Sequence, residues 1–206
     1  MNYTNPYAQA GWCNPENPSA INQFSGPTSH PPTFGALPYP GHSAPPTKRF
    51  IFSSQGPELI RGCEVIDSDS GLTAFRIKMG HEGYDYTSLQ CPSGTPRGYI
   101  VWKPQGPETE VYGTVARQKA KDWLPLSPDK SSRFMQFQGK HYVWQFGKDA
   151  MYLYTYVLNQ HQQLGKIYPV KNGTTIFEAN QPLIDGGMLE GVILVITLLM
   201  SGNFRD

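Results

Sequence analysis

One apolar stretch near the end of this 206-residue chain limits its fold more than any other feature. Residues 188–202 read Met-Leu-Glu-Gly-Val-Ile-Leu-Val-Ile-Thr-Leu-Leu-Met-Ser-Gly, and from Val192 to Met200 the one polar side chain is Thr197. There is neither alternation nor a polar stripe. Such a segment has to be surrounded, whatever secondary structure it takes. A membrane-spanning helix needs about 20 apolar residues, and this run is too short for that. A buried central strand would suit the β-branched Val192, Ile193, Val195, Ile196 and Thr197. A helix inside a shell of strands is the favoured reading. About 15 helical residues, over positions 187–201, would span roughly 22 Å, the height of a small barrel. Asp185 is then expected to cap that helix or complement its dipole, and Gly186-Gly187 to turn the chain inward.

The middle of the chain supplies the shell. Short β-like runs alternate with turn residues at Arg49–Ser54, Cys63–Asp67, Leu72–Met79, Gly98–Lys103 and Glu110–Lys119. They continue at Arg133–Gln138, Lys140–Phe146, Met151–Val157, Gly165–Lys171 and Thr174–Ala179. Gln138-Gly139 separates two runs closely, and Asn172-Gly173 supplies the positive φ angles of a two-residue hairpin. Many short strands joined by tight turns indicate a sandwich or barrel. The 13% aromatic content favours strands, because rings pack well on a pleated surface.

Residues 1–47 are different in kind. Ten of the 19 prolines lie there, with one charged side chain, Glu16, before Lys48. Proline removes backbone donors, and the Asn, Ser, Gly and Gln between the prolines offer little apolar surface to offset the entropy of ordering. The expected division is a disordered Pro/Asn/Tyr-rich tail, 1–47, and a β domain, 48–206. Aromatics recur through the tail at Tyr3, Tyr7, Trp12, Phe24, Phe34 and Tyr39, so it is read either as a solubilising linker or as a partner-binding segment.

Chemistry is hard to find. A net charge of +1 predicts no bulk attraction to nucleic acid. Three widely spaced cysteines, Cys13, Cys63 and Cys91, make neither a disulfide framework nor a metal set, and the N-terminus shows no secretory pattern, so a reducing cytoplasmic setting is expected. Nucleophile elbows, phosphate loops and zinc-binding helices are not seen. His81, Glu82 and Asp85 are read as a solvated loop in preference to a metal or acid–base trio. Two alternating aromatic runs, Tyr142/Trp144/Phe146 and Tyr152/Tyr154/Tyr156, are each expected on one face, packing the core or lining a ligand groove. Arg117, Lys119 and Lys121 also alternate. On an extended strand they would form a basic row, either guarding an edge or holding an anionic headgroup.

Three stretches carry a family resemblance: Lys121-Asp-Trp-Leu-Pro125, the run from Arg133 to Phe146 with its Gly139-Lys-His-Tyr142-Val-Trp144 centre, and the closing Leu189–Leu199. In that order they resemble a domain of mushroom-forming (basidiomycete) fungi, over residues from about 50 to the end. That domain in turn is similar to the tubby C-terminal, phospholipid scramblase and LURP-one-like group. The resemblance implies a closed antiparallel β-barrel of about twelve strands around a buried hydrophobic C-terminal helix. The expected function is a non-enzymatic binding module. It would recognise anionic, phosphoinositide-like headgroups at a membrane surface through Arg117, Lys119 and Lys121. The alternatives are a protein-interaction scaffold acting through the tail and a scramblase-like lipid protein. No catalytic residue, metal or cofactor, no nucleic-acid partner and no transmembrane span is expected, and the setting is cytoplasmic, at most peripheral to membranes.

Overall fold

The computed structural model describes residues 47–54, 62–157, 161–170, 174–202 and 204. The predicted partner-binding tail therefore lies outside the described residues, Thr47 excepted. From Thr47 the chain runs as a meander: β1 (Thr47–Ser54), β2 (Cys63–Asp67), β3 (Thr73–Glu82), β4 (Tyr84–Gln90), β5 (Pro96–Val101), β6 (Glu108–Val111) and β7 (Val115–Lys119). A single helical turn, α1 (Ala120–Trp123), leads to the second half. There follow β8 (Ser132–Phe137), β9 (Lys140–Phe146), β10 (Met151–Thr155), β11 (Gln163–Pro169) and β12 (Thr175–Asn180). Two helices close the chain, α2 (Gln181–Asp185) and α3 (Leu189–Met200).

All twelve strands belong to one antiparallel sheet in the order β7-β6-β5-β4-β3-β2-β1-β12-β11-β10-β9-β8. The first and last strands pair at its centre, with Phe50 opposite Phe177. The two edge strands, β7 and β8, do not pair with each other, so the barrel is nearly but not fully closed and a seam is left between them. The seam is plugged by α1. Trp123 is buried there and its Nε1 donates to the Gln136 carbonyl of β8 at 3.1 Å. Ala120 N donates to Pro107 O just before β6, and a lone bridge joins Leu126 to Arg133. Arg133 is buried beside the seam. It donates to Leu124 O at 2.7 Å and stacks 4.2 Å from the Phe204 ring centre.

The core is the space inside the ring. Each strand contributes alternate side chains, among them Phe52, Val65, Ile77, Leu89, Ile100, Phe137, Trp144, Leu153 and Ile167. In the middle sits α3, buried without a break from Gly191 to Leu198. Six of those residues are large aliphatics, worth on the order of 10 kcal/mol in gross transfer free energy. Thr197 is satisfied within the helix, its Oγ1 donating to Ile193 O at 2.8 Å. The apolar segment is thus the helix expected from its pattern, and its 12 residues span about 18 Å.

Several sequence expectations are corrected. Asp185 does not cap α3. It lies in α2 and accepts from Gln181 Nε2 at 2.7 Å, while Met188 stands at the start of α3 with no side-chain cap. Gly187, at φ +64, makes the break between the two helices. The predicted strand Glu110–Lys119 is instead a hairpin, because Gly113 at φ +76 reverses the chain between β6 and β7. Strand β4 has no counterpart in the predicted set. His81 and Glu82 end β3 and Asp85 is the second residue of β4, across a turn at Gly83 with φ +78. The Gln138-Gly139 turn holds, with φ +49 and +74 as a two-residue primed turn requires. Asn172-Gly173 lies outside the described residues, between strands that pair as far as Pro169 and Thr175.

Candidate functional site

The predicted basic row does not form as a row. Arg117 and Lys119 stand on β7, but the strand ends there and Lys121 belongs to α1. All three are exposed. Arg117 is engaged. Its Nε donates to Glu108 Oε2 at 2.9 Å, and the guanidinium lies 5.8 Å from the Tyr99 ring centre. Glu108 also accepts from Lys103 Nζ at 2.7 Å. The hydrogen bonds from Lys103 and Arg117 hold the Glu108 carboxyl below its usual range, and the bond to Glu108 raises Arg117 above its own. Lys119 and Lys121 have no ion-pair partner among the described residues.

What the structure builds around Arg117 is a groove on the outer face of β4–β6. Period two turns Thr87 and Leu89 of β4 into the barrel, where both are fully buried, and leaves Tyr84, Tyr86, Ser88 and Gln90 on the outside. On β5, Gly98 and Ile100 are buried and Tyr99 and Val101 face out. The register sets Tyr86 opposite Val101 and Ser88 opposite Tyr99. Each ring therefore faces a smaller side chain, and the small residues on the other diagonal leave a trough between the two tyrosines. Gly80, opposite Tyr86 on β3, leaves that ring room to lie over the sheet, since a Cβ at Gly80 would collide with it. Tyr112, in the β6–β7 turn, closes one side edge-on to Tyr99 at 6.0 Å. The resulting groove has a volume of about 480 Å³, with Glu82, Gln90 and Arg117 around it. Tyr84 and Tyr112 are each about half exposed, at 51% and 47%, so their rings are available to a ligand. The Tyr99 hydroxyl donates to Glu110 Oε2 at 2.5 Å, which raises the phenol's pKa.

A second depression of about 700 Å³ adjoins the groove at Tyr84, lined by His81, Asp85, Trp102 and Lys103 among others. His81 Nδ1 sits 2.9 Å from Asp85 Oδ1, both exposed, while Glu82 lines the first groove. Among the described residues, no three His, Cys, Asp or Glu side chains gather as a metal set. Cys63 is a core residue whose thiol is pushed up to about 12 by burial. Cys91, in the turn between β4 and β5, is lowered to about 6, chiefly by the Ser93 hydroxyl at 2.9 Å.

The two alternating aromatic runs part company. Tyr142 and Trp144 point into the core. On β10 it is Leu153 that is buried, which sends Tyr152 and Tyr154 to the outer face, where they stack at 6.2 Å. Lys166 lies over Tyr152 and Tyr168, at 5.8 and 4.8 Å from their ring centres.

The chain has a structural likeness in a plant protein. An X-ray structure of a protein from Arabidopsis thaliana aligns with it at a TM-score of 0.43 and 12% identity, covering 74% of this chain and 90% of the other. No protein-family profile and no curated protein sequence matches the chain. Among the described residues no helix is long and apolar enough to cross a membrane.

Sequence reasoning reached Arg117 but missed the tyrosines beside it. The signal was present: Tyr84-x-Tyr86 alternates like the runs on β9 and β10. The neighbouring His81, Glu82 and Asp85 hid it by reading as a loop.

Proposed function

We propose that this chain is a non-enzymatic recognition module of the tubby-like type, whose ligand lies in the tyrosine-lined groove on the outer face of β4–β6. The observation that carries the reading is the set of four tyrosines, Tyr84, Tyr86, Tyr99 and Tyr112, around one trough. Aromatic walls with a few placed polar groups are the usual make-up of a small-ligand site. The polar groups argue for holding over reacting. Glu108 is taken up by Arg117 and Lys103, and Glu110 by Tyr99. The strands beneath are fixed by pairing on both sides and by α3 behind them, so the groove is preformed. The kinship with the tubby, scramblase and LURP-one group is supported by the meander of twelve strands around a terminal apolar helix. A cytoplasmic setting is supported by the half-exposed free thiol of Cys91. The test is a fragment screen on the isotope-labelled full chain by amide chemical shift. Hits are expected to cluster at Tyr84–Gln90, Tyr99 and Tyr112; hits that cluster elsewhere on the barrel defeat the reading.

The anionic-surface reading keeps one supporting observation, the exposed Lys119 and Lys121 beside the seam, which have no ion-pair partner among the described residues. It is tested by flotation with phosphoinositide-containing vesicles. Lys119→Glu combined with Lys121→Glu is the cleaner variant, because altering Arg117 would also disturb Glu108 and Tyr99. Loss of binding in that variant supports the reading, and no binding by the parent chain removes it. The scramblase reading would require α3 to leave the core it fills.

A further inference from the structure

Resting on the groove as the ligand site, we infer that its ligand is a neutral carbohydrate, held by its ring faces against the tyrosines and by its hydroxyls against the polar rim. Charge narrows the choice first. Arg117, the one cation lining the groove, shares the Glu108 carboxylate with Lys103, and Glu82 and the Tyr99–Glu110 pair add two more carboxylates, so three carboxylates stand against two cations. A phosphate or sulfate entering here meets more negative charge than positive.

Hydrogen-bonding type narrows it next. Ser88 is buried and already engaged, donating to Lys78 O and accepting from Gln90 Nε2, and the Tyr99 proton is held by Glu110; the Gln90 amide oxygen and Glu82 then offer acceptors, and the Tyr84, Tyr86 and Tyr112 hydroxyls each donate and accept. A sugar hydroxyl also donates and accepts, so it can meet every member of that set. A proline-rich peptide, the other usual occupant of a tyrosine-lined groove, offers carbonyl acceptors and no donor at its prolines. It would leave Glu82 and the Gln90 carbonyl unmet. An added peptide strand is also disfavoured, because β4 already pairs with both β3 and β5, and β5 with both β4 and β6.

Shape completes the case. The Tyr86 ring lies over Gly80, while Tyr99 is fixed by its bond to Glu110 and by Tyr112 edge-on to it. These are ordered, amphipathic platforms of the kind on which the C–H face of a pyranose packs, with little side-chain entropy to lose. The trough between them, floored by Ser88 and Val101, is open at the surface and suits an extended chain of sugars.

The experiment titrates the labelled full chain with cello-, manno- and chito-oligosaccharides, with inositol phosphate and with a polyproline peptide as separate arms. Saturable shifts at Tyr84–Gln90, Tyr99 and Tyr112 are expected with at least one saccharide. Tyr84→Ala and Tyr112→Ala remove half-exposed rings that lie outside the core, and each should weaken that binding roughly tenfold. Tyr112→Phe should keep most of it, and the Lys119→Glu/Lys121→Glu variant all of it. No saturable saccharide shift, or shifts outside the groove, overturns the inference. Tyrosine-dependent binding of inositol phosphate or polyproline in the groove, with no saccharide bound, also overturns it, while leaving the groove as the recognition site.

Discussion

Gly98→Ala is expected to destabilise the barrel by about 3 kcal/mol, the upper end of what overpacking by one methyl costs. At Gly98 the side chain of Leu194 on α3 comes close against β5. A Cβ built there would stand 2.5 Å from the Glu110 carbonyl oxygen, 2.6 Å from Leu194 Cδ1 and 3.2 Å from Val111 Cα. The Leu194 methyl can rotate away, although the helix around it is fully packed. The Glu110 carbonyl cannot, because β6 is fixed in register with Gly98 opposite Val111. The measurement is urea unfolding of parent and variant by far-UV dichroism. The midpoint should fall with the slope unchanged, and the thermal midpoint should drop by about 6–12 °C, taking roughly 2–4 °C per kcal/mol for a domain of this size. A cycle with Leu194→Ala sharpens the test. Leu194→Ala alone should cost about 2–5 kcal/mol by leaving a cavity. The double variant should cost about 1 kcal/mol less than the sum, since truncating Leu194 relieves one of the two tight contacts and leaves the other. A Gly98→Ala chain that melts like the parent would refute the packing of α3 on β5, and strict additivity would refute the part assigned to Leu194.

Two further outcomes follow from burial and charge. Leu194→Asp should leave the chain unfolded, because Leu194 is 1% exposed and an unpaired carboxylate there costs several kcal/mol; a cooperative melt near the parent's would show that the helix is not enclosed. Iodoacetamide should label Cys91 with a rate that rises with pH through a midpoint near 6, since its lowered pKa leaves it thiolate above that value, while buried Cys63 stays inert in the folded protein. Ser93→Ala should move that midpoint upward, and an unmoved midpoint would rule out the Ser93 hydroxyl as the cause.

The architecture was legible because its strongest signals are local. The apolar run at 192–200, with Thr197 its one polar member, has nowhere to go but inside, and turn residues punctuate the strands around it. What escaped notice had local signals pointing the other way. Strand β4 opens with Tyr84-Asp85 beside a charged hairpin tip, and its pairing is decided by β3 and β5 on either side. The seam helix α1 is one turn long, too short to show a period, and exists because two edges must be bridged. The candidate groove was beyond a sequence reading for a related reason. Its tyrosines come from β4, β5 and the β6–β7 turn, and they converge only once the register sets Tyr86 across from Val101 and Ser88 across from Tyr99. The sequence likewise shows Arg117 as a free cation, because Glu108 becomes its neighbour only through the hairpin at Gly113.

The order of elements along the chain sets a problem for synthesis. Every strand leaves the ribosome before the helix they are wrapped around. Phe50 and Phe52 emerge early, yet β1 waits for β12 to pair with and for Leu194 and its neighbours to pack against. At typical elongation rates that delay is roughly 7–30 s, long compared with the time an exposed apolar strand takes to find a wrong partner. A chain cut short after Asn180 and before Leu189 would hold every strand of the barrel and lack the helix they close upon.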